Sequence, residues 1–334
     1  MYQLTCADGY KYPGADVYVL DILPVTTGFA ATASDQTLSL FDPTRLNQGP
    51  VKKIRTGHGN LITAKVYNAA DAIICTTGEN GTVSVWDMRL DPTNAQAMQI
   101  GGNLPGLISL ACSSETNAVA AGTELANHQA SILIWDLRSP SSWRIQYNEV
   151  HSDDITELSY HPSEPTLLLS GSTDGLVSVL DTTVTDEDDL ILQTFNHGSV
   201  HRAGFLNVTE VYAASHDEKF ALYDMAEHAA KGSATLDLGD IREALGCQYL
   251  AGVTTKVDGA GAVVGVGSQD HEMFQLIHLA RGAAGGWALD RETAVELPGA
   301  HGSELVRSFC FFDEQQVVFT AGEDGCVKAW RPGS

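Results

Sequence analysis

The stretch HSDDITELSYHPSEPTLLLSGSTDGLVSVLD, residues 151–181, contains three apolar runs and two turns. The first run, 155–160, gives way to a proline-bounded turn at 161–165. The second, 166–172, ends at Asp174-Gly175, and the third fills 176–180. Runs of this length between turn residues read as three antiparallel strands. Asp-Gly is the informative pair, because a two-residue hairpin loop of type I′ needs positive φ at both central positions, which Asp, Asn and Gly adopt at little cost. Such a unit cannot bury both of its faces alone and requires sister units on either side.

Sister units are present. Aligned on the end of the third run, the chain repeats at Asp42, Asp87, Asp136, Asp181 and Asp224, with further ends near 278 and 331. The first intervals are 43 to 49 residues, and the last two are longer by about ten, so those repeats carry insertions. Four strands in a period of this length make a propeller blade. The expectation is one all-β domain over residues 1–334, a seven-bladed β-propeller. Outer fourth strands follow the third runs in repeats one to six, but only RPGS follows Trp330. The missing strand is expected from residues 2–6, which would close the ring, hide an exposed edge and bring Cys6 near Cys326 as a second reduced thiol.

Trp86-Asp87 and Trp135-Asp136, Gly57-His58, and the turn residues Asp35, Asn80, Asp174, Asp217 and Asp324, each six places before an aromatic or its replacement, resemble the WD40 repeat. The resemblance implies a hydrogen-bonded network of four side chains in a well-formed blade. Repeat seven has all four, His301, Thr320, Asp324 and Trp330; repeat four has His151, Ser170 and Asp174 with Leu180 in place of the indole; repeat two has His58, Thr76 and Trp86 with Asn80 in place of the carboxylate. Because the pattern recurs with the period of the fold, these residues read as structural and not catalytic. A closer similarity, to the WD repeat-containing protein 89 family, rests on AGTE (121–124), HSDDIT, SGSTDGLVSVLD followed by Asp186 to Asp189, HDEKF (216–220), DIRE (240–243) and the span 306–325. That family is defined more by architecture than by function.

Composition narrows the function. The 42 acidic residues outnumber the 19 basic ones for a net charge of −23, which disfavours nucleic acid or an anionic membrane as a direct partner and favours a basic protein. No long apolar stretch suggests a membrane span, and the first residues lack the basic and apolar regions of a leader. Six cysteines are scattered without CxxC spacing and read as reduced thiols. No GxSxG, Walker, HExxH or helix-opening GxGxxG pattern occurs. His197 and His201, at the start of a strand, and the turn pair His271-Glu272 do not make a convergent ligand set. The expectation is a monomeric binding protein, not an enzyme, with no cofactor and no metal.

Loops on a rigid scaffold carry its function. On the rim that the WD40 resemblance names the top, the chain would display Glu79, Glu124, Asp153, Asp154, Glu218, Glu304 and Glu323, with Arg242 of DIRE in a short helical turn beside them. Acidic loops are ordinary in an acidic protein, yet carboxylates from several blades ringing one opening would steer a Lys- and Arg-rich segment. The run Asp186 to Asp189 falls between third and fourth strands, away from that rim, and reads as a solvated loop. The favoured ligand is a newly made ribosomal protein, since acidic WD40 propellers resembling this one escort such proteins; the setting would be cytoplasm and nucleus. A histone-binding propeller is one alternative. Arg89 and Arg138, in two Trp-Asp-x-Arg stretches, raise another, because they resemble the motif of substrate receptors for cullin-4 ubiquitin ligases.

Overall fold

Each apolar run bounded by turn residues forms a strand in the computed structural model, which describes residues 2–226, 232–256, 259–282 and 285–333. The strands pair as five four-stranded sheets and one eight-stranded sheet. The latter is two blades joined, so the molecule is a seven-bladed propeller. Blade 4 shows the plan: Ile155–Tyr160 innermost, then Leu167–Ser172, Leu176–Asp181 and, outermost, Ile191–Asn196, all antiparallel. Second strands such as Gly28–Ala33, Ala118–Thr123 and Val317–Gly322 are buried along their whole length, which explains their Ala, Gly and Val: both faces lie against neighbouring blades.

The core is divided accordingly. Among the described residues seven apolar clusters form, one at each junction between blades. Phe195, Val177 and Leu169 of blade 4, for example, pack on Val200, Ala203 and Val211 of blade 5. With no common centre, stability is a sum over neighbours, and the ring depends on its last junction.

That junction is closed by the N-terminal strand, which is longer than residues 2–6: it runs Tyr2–Lys11. From Leu4↔Pro332 to Lys11↔Cys326 it pairs antiparallel with Cys326–Pro332, the third strand of blade 7, shifting register once between Cys6 and Asp8. Tyr2 and Gln3 pair in parallel with Val295 and Glu296 of blade 6, tying the last two blades into one sheet. The length has a cause at the far end, where Tyr10 and Tyr12 pack on Phe41 of blade 1. The register also separates the two thiols expected to meet. Cys6 lies opposite Trp330 and Cys326 opposite Lys11, at opposite ends of the ladder, and both are free.

The turn chemistry differs from a type I′ hairpin as well. Gly175 lies at φ +99°, but Asp174 is not in the left-handed region. Gly175 N–H donates to the Ser172 carbonyl at 3.2 Å, so Ser172 to Gly175 form a turn with glycine in its fourth place. Gly81 and Gly325 close equivalent turns on Gly78 and Gly322. The Asp or Asn before the glycine is thereby freed to aim its side chain inward.

The insertions of the last repeats are a helix, Ile241–Leu245, between blades 5 and 6, and a long outer hairpin in blade 6 whose strands extend to Met273–Arg281 and Trp287–Pro298. The hairpin's tip is fixed to blade 5. Buried Glu210 accepts hydrogen bonds from Trp287 Nε1 at 2.6 Å and Arg281 at 2.8 Å, and the guanidinium lies over the indole.

Candidate functional site

In an antiparallel blade the connection into the first strand and the turn between the second and third strands fall at one end. Glu79, Glu124, Glu218 and Glu323 occupy such turns, and Asp153, Asp154 and Glu304 occupy such connections, so all seven stand on one rim of the ring. The helix Ile241–Leu245, which carries Arg242, is in a connection on the same rim.

The rim loops are anchored from below by the buried networks. In blade 7, Thr320 Oγ1 lies 2.8 Å from both Trp330 Nε1 and His301 Nε2, while His301 Nδ1 lies 2.6 Å from Asp324. The indole N–H donates to the hydroxyl, the hydroxyl proton goes to Nε2, and the Nδ1 proton is left for the carboxylate; this is the tautomer that satisfies every group. Blade 2 repeats the geometry with Trp86 Nε1 to Thr76 at 2.7 Å, His58 to Thr76 at 2.8 Å and His58 to Asn80 at 2.9 Å. Blade 4 keeps His151 to Ser170 at 2.8 Å and to Asp174 at 3.0 Å.

Blade 5 holds a variant that the sequence reading passed over. His197 precedes the first strand as His58, His151 and His301 do, and its Nδ1 meets the Tyr223 hydroxyl at 3.0 Å, the phenol standing where other blades have indole. Its Nε2 lies 3.1 Å from the Lys219 carbonyl. The signal in the sequence is the His197-Gly198 pair directly after an outer strand. Among the described residues no group of three or more potential ligands surrounds a metal-sized space.

These histidines give stability a pH dependence. Burial holds the His58, His197 and His301 imidazoles below their ordinary range, and burial, with Arg202, His216 and Arg307 nearby, takes His201 down to about 4. In the unfolded chain they titrate near ~6.5, so below that pH the unfolded state binds protons that the folded state refuses, and stability falls as pH falls. The expected result is a urea midpoint that declines steadily below about pH 6.5, with His201→Asn reducing proton uptake on unfolding near pH 5 by about one equivalent. A midpoint constant down to pH 5 contradicts the assignment.

Most rim carboxylates also hold backbone. Glu79 accepts from Asn60 N–H at 3.2 Å and Glu124 from Gly106 N–H at 3.1 Å. Asp154 reaches across a junction to Leu125 N–H at 2.6 Å, and Glu218 does the same to Leu250 N–H at 2.8 Å. Asp153 accepts from Asp154 N–H at 2.8 Å. Glu323 is paired with Arg307, and Arg242 closes on Asp240, the cap of its own helix, at 2.7 and 3.0 Å. The exposed Glu304 side chain has no partner among the described residues.

The result is an uneven rim. From blade 2 to blade 4 it presents Glu79, Glu124, Asp153 and Asp154 around exposed Leu61 (62%) and Leu125 (39%). From blade 5 to blade 7 the carboxylates are interleaved with His201, His216, Arg242 and Arg307. Sequence reading had no access to this partition, because Leu61 and Leu125 look like any strand-end leucine until the register exposes them.

Away from the rim, Arg89 and Arg138 each fold back on the Asp of their own Trp-Asp pair. Arg89 bonds Asp87 at 2.8 and 2.9 Å and also meets Asp71; Arg138 bonds Asp136 at 2.6 and 2.9 Å. The guanidinium beside it holds the Asp136 carboxyl down at about 2. The motif here shapes the turn after the third strand. The acidic run is similarly engaged: both Glu187 carboxylate oxygens accept from Asn148 N–H, at 2.8 and 3.0 Å, fastening the loop to blade 3.

Inside the ring a second constellation appears. In six blades the first strand shifts register near its start, between Val19 and Asp21, Leu107 and Ser109, Ile155 and Glu157, Val200 and Arg202, Leu250 and Gly252, and Val306 and Ser308. A bulge re-aims the residue beside it, and Asp21, Glu157, Arg202, Gly252 and Ser308 all line the central channel. Glu157 of blade 4 there meets Lys65 of blade 2 at 3.5 Å and Arg202 of blade 5 at 3.4 Å.

Comparison with known proteins places this geometry. A family profile described as "WD domain, G-beta repeat" matches residues 144–181 and 294–331, each spanning the outer strand of one blade and the first three strands of the next, blades 4 and 7. A WD repeat-containing protein of Schizosaccharomyces pombe is 30% identical over 329 residues, covering 95% of this chain and 96% of that protein. A WD repeat-containing protein 89 homolog from Dictyostelium discoideum is 24% identical, covering 62% of this chain and 55% of its own. A ribosome biogenesis protein of Phaeosphaeria nodorum is 30% identical over 162 residues, covering 48% of this chain and 32% of its own. A solved chain of the mitotic checkpoint complex has the same fold, with a TM-score of 0.72 over 99% of this chain and 93% of that one at 15% identity.

Proposed function

The chain belongs to the WD repeat-containing proteins, and from that premise we propose that it is a non-catalytic scaffold whose rim at blades 2 to 4 holds a Lys- and Arg-rich segment of a partner protein. The observation that carries the reading is the cluster of Glu79, Glu124, Asp153 and Asp154 around exposed Leu61 and Leu125. The leucines accept the aliphatic stems of long basic side chains and the carboxylates their charged ends. A net charge of −23 attracts such a segment over long range and repels nucleic acid, so the partner is met free of RNA or DNA. Within this class we favour a newly made ribosomal protein in the cytoplasm and nucleus. Support comes from the partial similarity to a ribosome biogenesis protein.

The test is affinity purification from cells with and without nuclease. A basic ribosomal protein is expected to remain bound in near-stoichiometric amount after nuclease and to be released as salt rises through about 0.5 M, where screening shortens to a few ångströms. Loss of all basic proteins on nuclease treatment contradicts the reading, and retention of histones in their place redirects it to chromatin.

A further inference from the structure

The central channel is the reverse of the rim. It widens into a cavity of about 810 Å³, open to solvent, against the innermost strands of blades 5, 6, 7 and 1. Four of the chain's 19 basic residues line it, Lys65, Arg202, Lys256 and Arg307, against three of its 42 acidic ones, Asp21, Glu157 and Asp313. A chain this acidic concentrates cations at one internal surface.

The hydrogen-bond inventory there is lopsided in the same sense. Asp21 Oδ1 is taken by the Ser308 hydroxyl at 2.6 Å and by Ile22 N–H at 2.8 Å, and Glu157 is shared between Lys65 and Arg202. Arg307 is engaged by Glu323, but other donors are unspent. Arg202 Nε is buried without a partner among the described residues, and the hydrogen bond from Arg202 Nη1 to Glu157 is long at 3.4 Å. The side chains of Tyr212, Thr254, Lys256 and His278 also line the cavity and have no hydrogen-bond partner among the described residues. A buried guanidinium nitrogen without an acceptor is costly and calls for an explanation.

We propose that this cavity is a binding site for a small phosphate-bearing molecule, with Arg202 as the central anchor and Tyr212, Thr254, Lys256 and His278 as further donors. Phosphate fits the surplus because its oxygens accept many hydrogen bonds at once and its geometry matches the guanidinium fork. The volume exceeds that of the bare ion and lies within the range of small-molecule sites, so the ligand carries an organic part against Val253 and Phe309. The cavity lies apart from the acidic part of the rim at blades 2 to 4, while Arg307 borders both the cavity and the rim at blade 7.

The experiment uses the full chain and inorganic phosphate as probe, with chloride at matched ionic strength as reference, read by calorimetric titration and melting midpoint. Phosphate is expected to bind and raise the midpoint above the chloride reference. Arg202→Gln is expected to abolish binding, and Tyr212→Phe and Lys256→Ala to weaken it about fivefold each. Arg202→Gln alters the Glu157 contact, so the Lys256 and Tyr212 variants, which disturb no other hydrogen bond, guard against a folding artefact. Equal effects of phosphate and chloride, or undiminished phosphate binding by Tyr212→Phe and Lys256→Ala, overturn the proposal.

Discussion

Removal of residues 2–11 is expected to abolish the cooperative monomeric fold. Among the described residues the strand is the one partner of that edge of Cys326–Pro332, and it buries Leu4 against Trp330 and Phe274 at the junction of blades 6 and 7. Seven residue pairs of ladder are lost from Leu4↔Pro332 to Lys11↔Cys326. At about 0.5–1.5 kcal/mol net per hydrogen bond, plus roughly 2 kcal/mol for Leu4, the loss is about 5 kcal/mol or more. That approaches the whole stability of many domains. An exposed edge also templates association. The expected measurement is a melting midpoint lower by about 10 °C or more, with a shift to oligomers on size exclusion that a peptide of residues 2–12 reverses in trans. A deletion variant that stays monomeric with an unchanged midpoint contradicts the account of ring closure.

The second large effect comes from one oxygen. Thr320→Val preserves shape but removes the hydroxyl that joins Trp330 Nε1 to His301 Nε2, all three residues being at most 2% exposed. Two buried polar groups lose a partner, at about 1–3 kcal/mol each, so a loss of roughly 2–6 kcal/mol is expected in denaturant unfolding. Ser170→Ala in blade 4 is the internal comparison. There the hydroxyl serves His151 alone, because Leu180 brings no donor, and the loss should be about half as large. Equal losses at the two sites would mean that the hydroxyl's value lies in packing and not in joining two groups.

How much was legible beforehand follows from which quantities are periodic. The repeat, the seven blades and the partners of His58, His151 and His301 were readable because each recurs at a fixed distance from a turn. The N-terminal strand was found but cut short at residue 6, since its continuation to Lys11 is set by Tyr10 and Tyr12 packing on Phe41 of a blade that lies next to it only after closure. The turns were read as type I′ because Asp-Gly permits it; what decided otherwise was the side chain of Asp174, needed by His151. The rim carboxylates were placed by topology, but their division into an acidic half and a neutralised half depends on Arg242 and Arg307, whose partners are not set by sequence spacing alone. The channel was invisible, because Lys65, Glu157 and Arg202 come from three different repeats and meet only across the closed ring.

The rim reading stands or falls on where charge matters. Glu79→Gln, Glu124→Gln and Asp154→Asn remove three charges yet keep an oxygen to accept from Asn60, Gly106 and Leu125. Asp186→Asn, Glu187→Gln, Asp188→Asn and Asp189→Asn remove four charges from the loop on blade 4 and likewise keep the acceptor for Asn148. The deciding measurement is titration of both variants and the parent chain with a fluorescent Lys- and Arg-rich peptide from a ribosomal protein, across a range of salt. At about 0.5–1 kcal/mol per charge, the rim variant should bind about tenfold more weakly or worse, with a shallower salt dependence, and the loop variant within about twofold of the parent. Equal weakening in both variants, or none in the rim variant, contradicts a binding site on the rim.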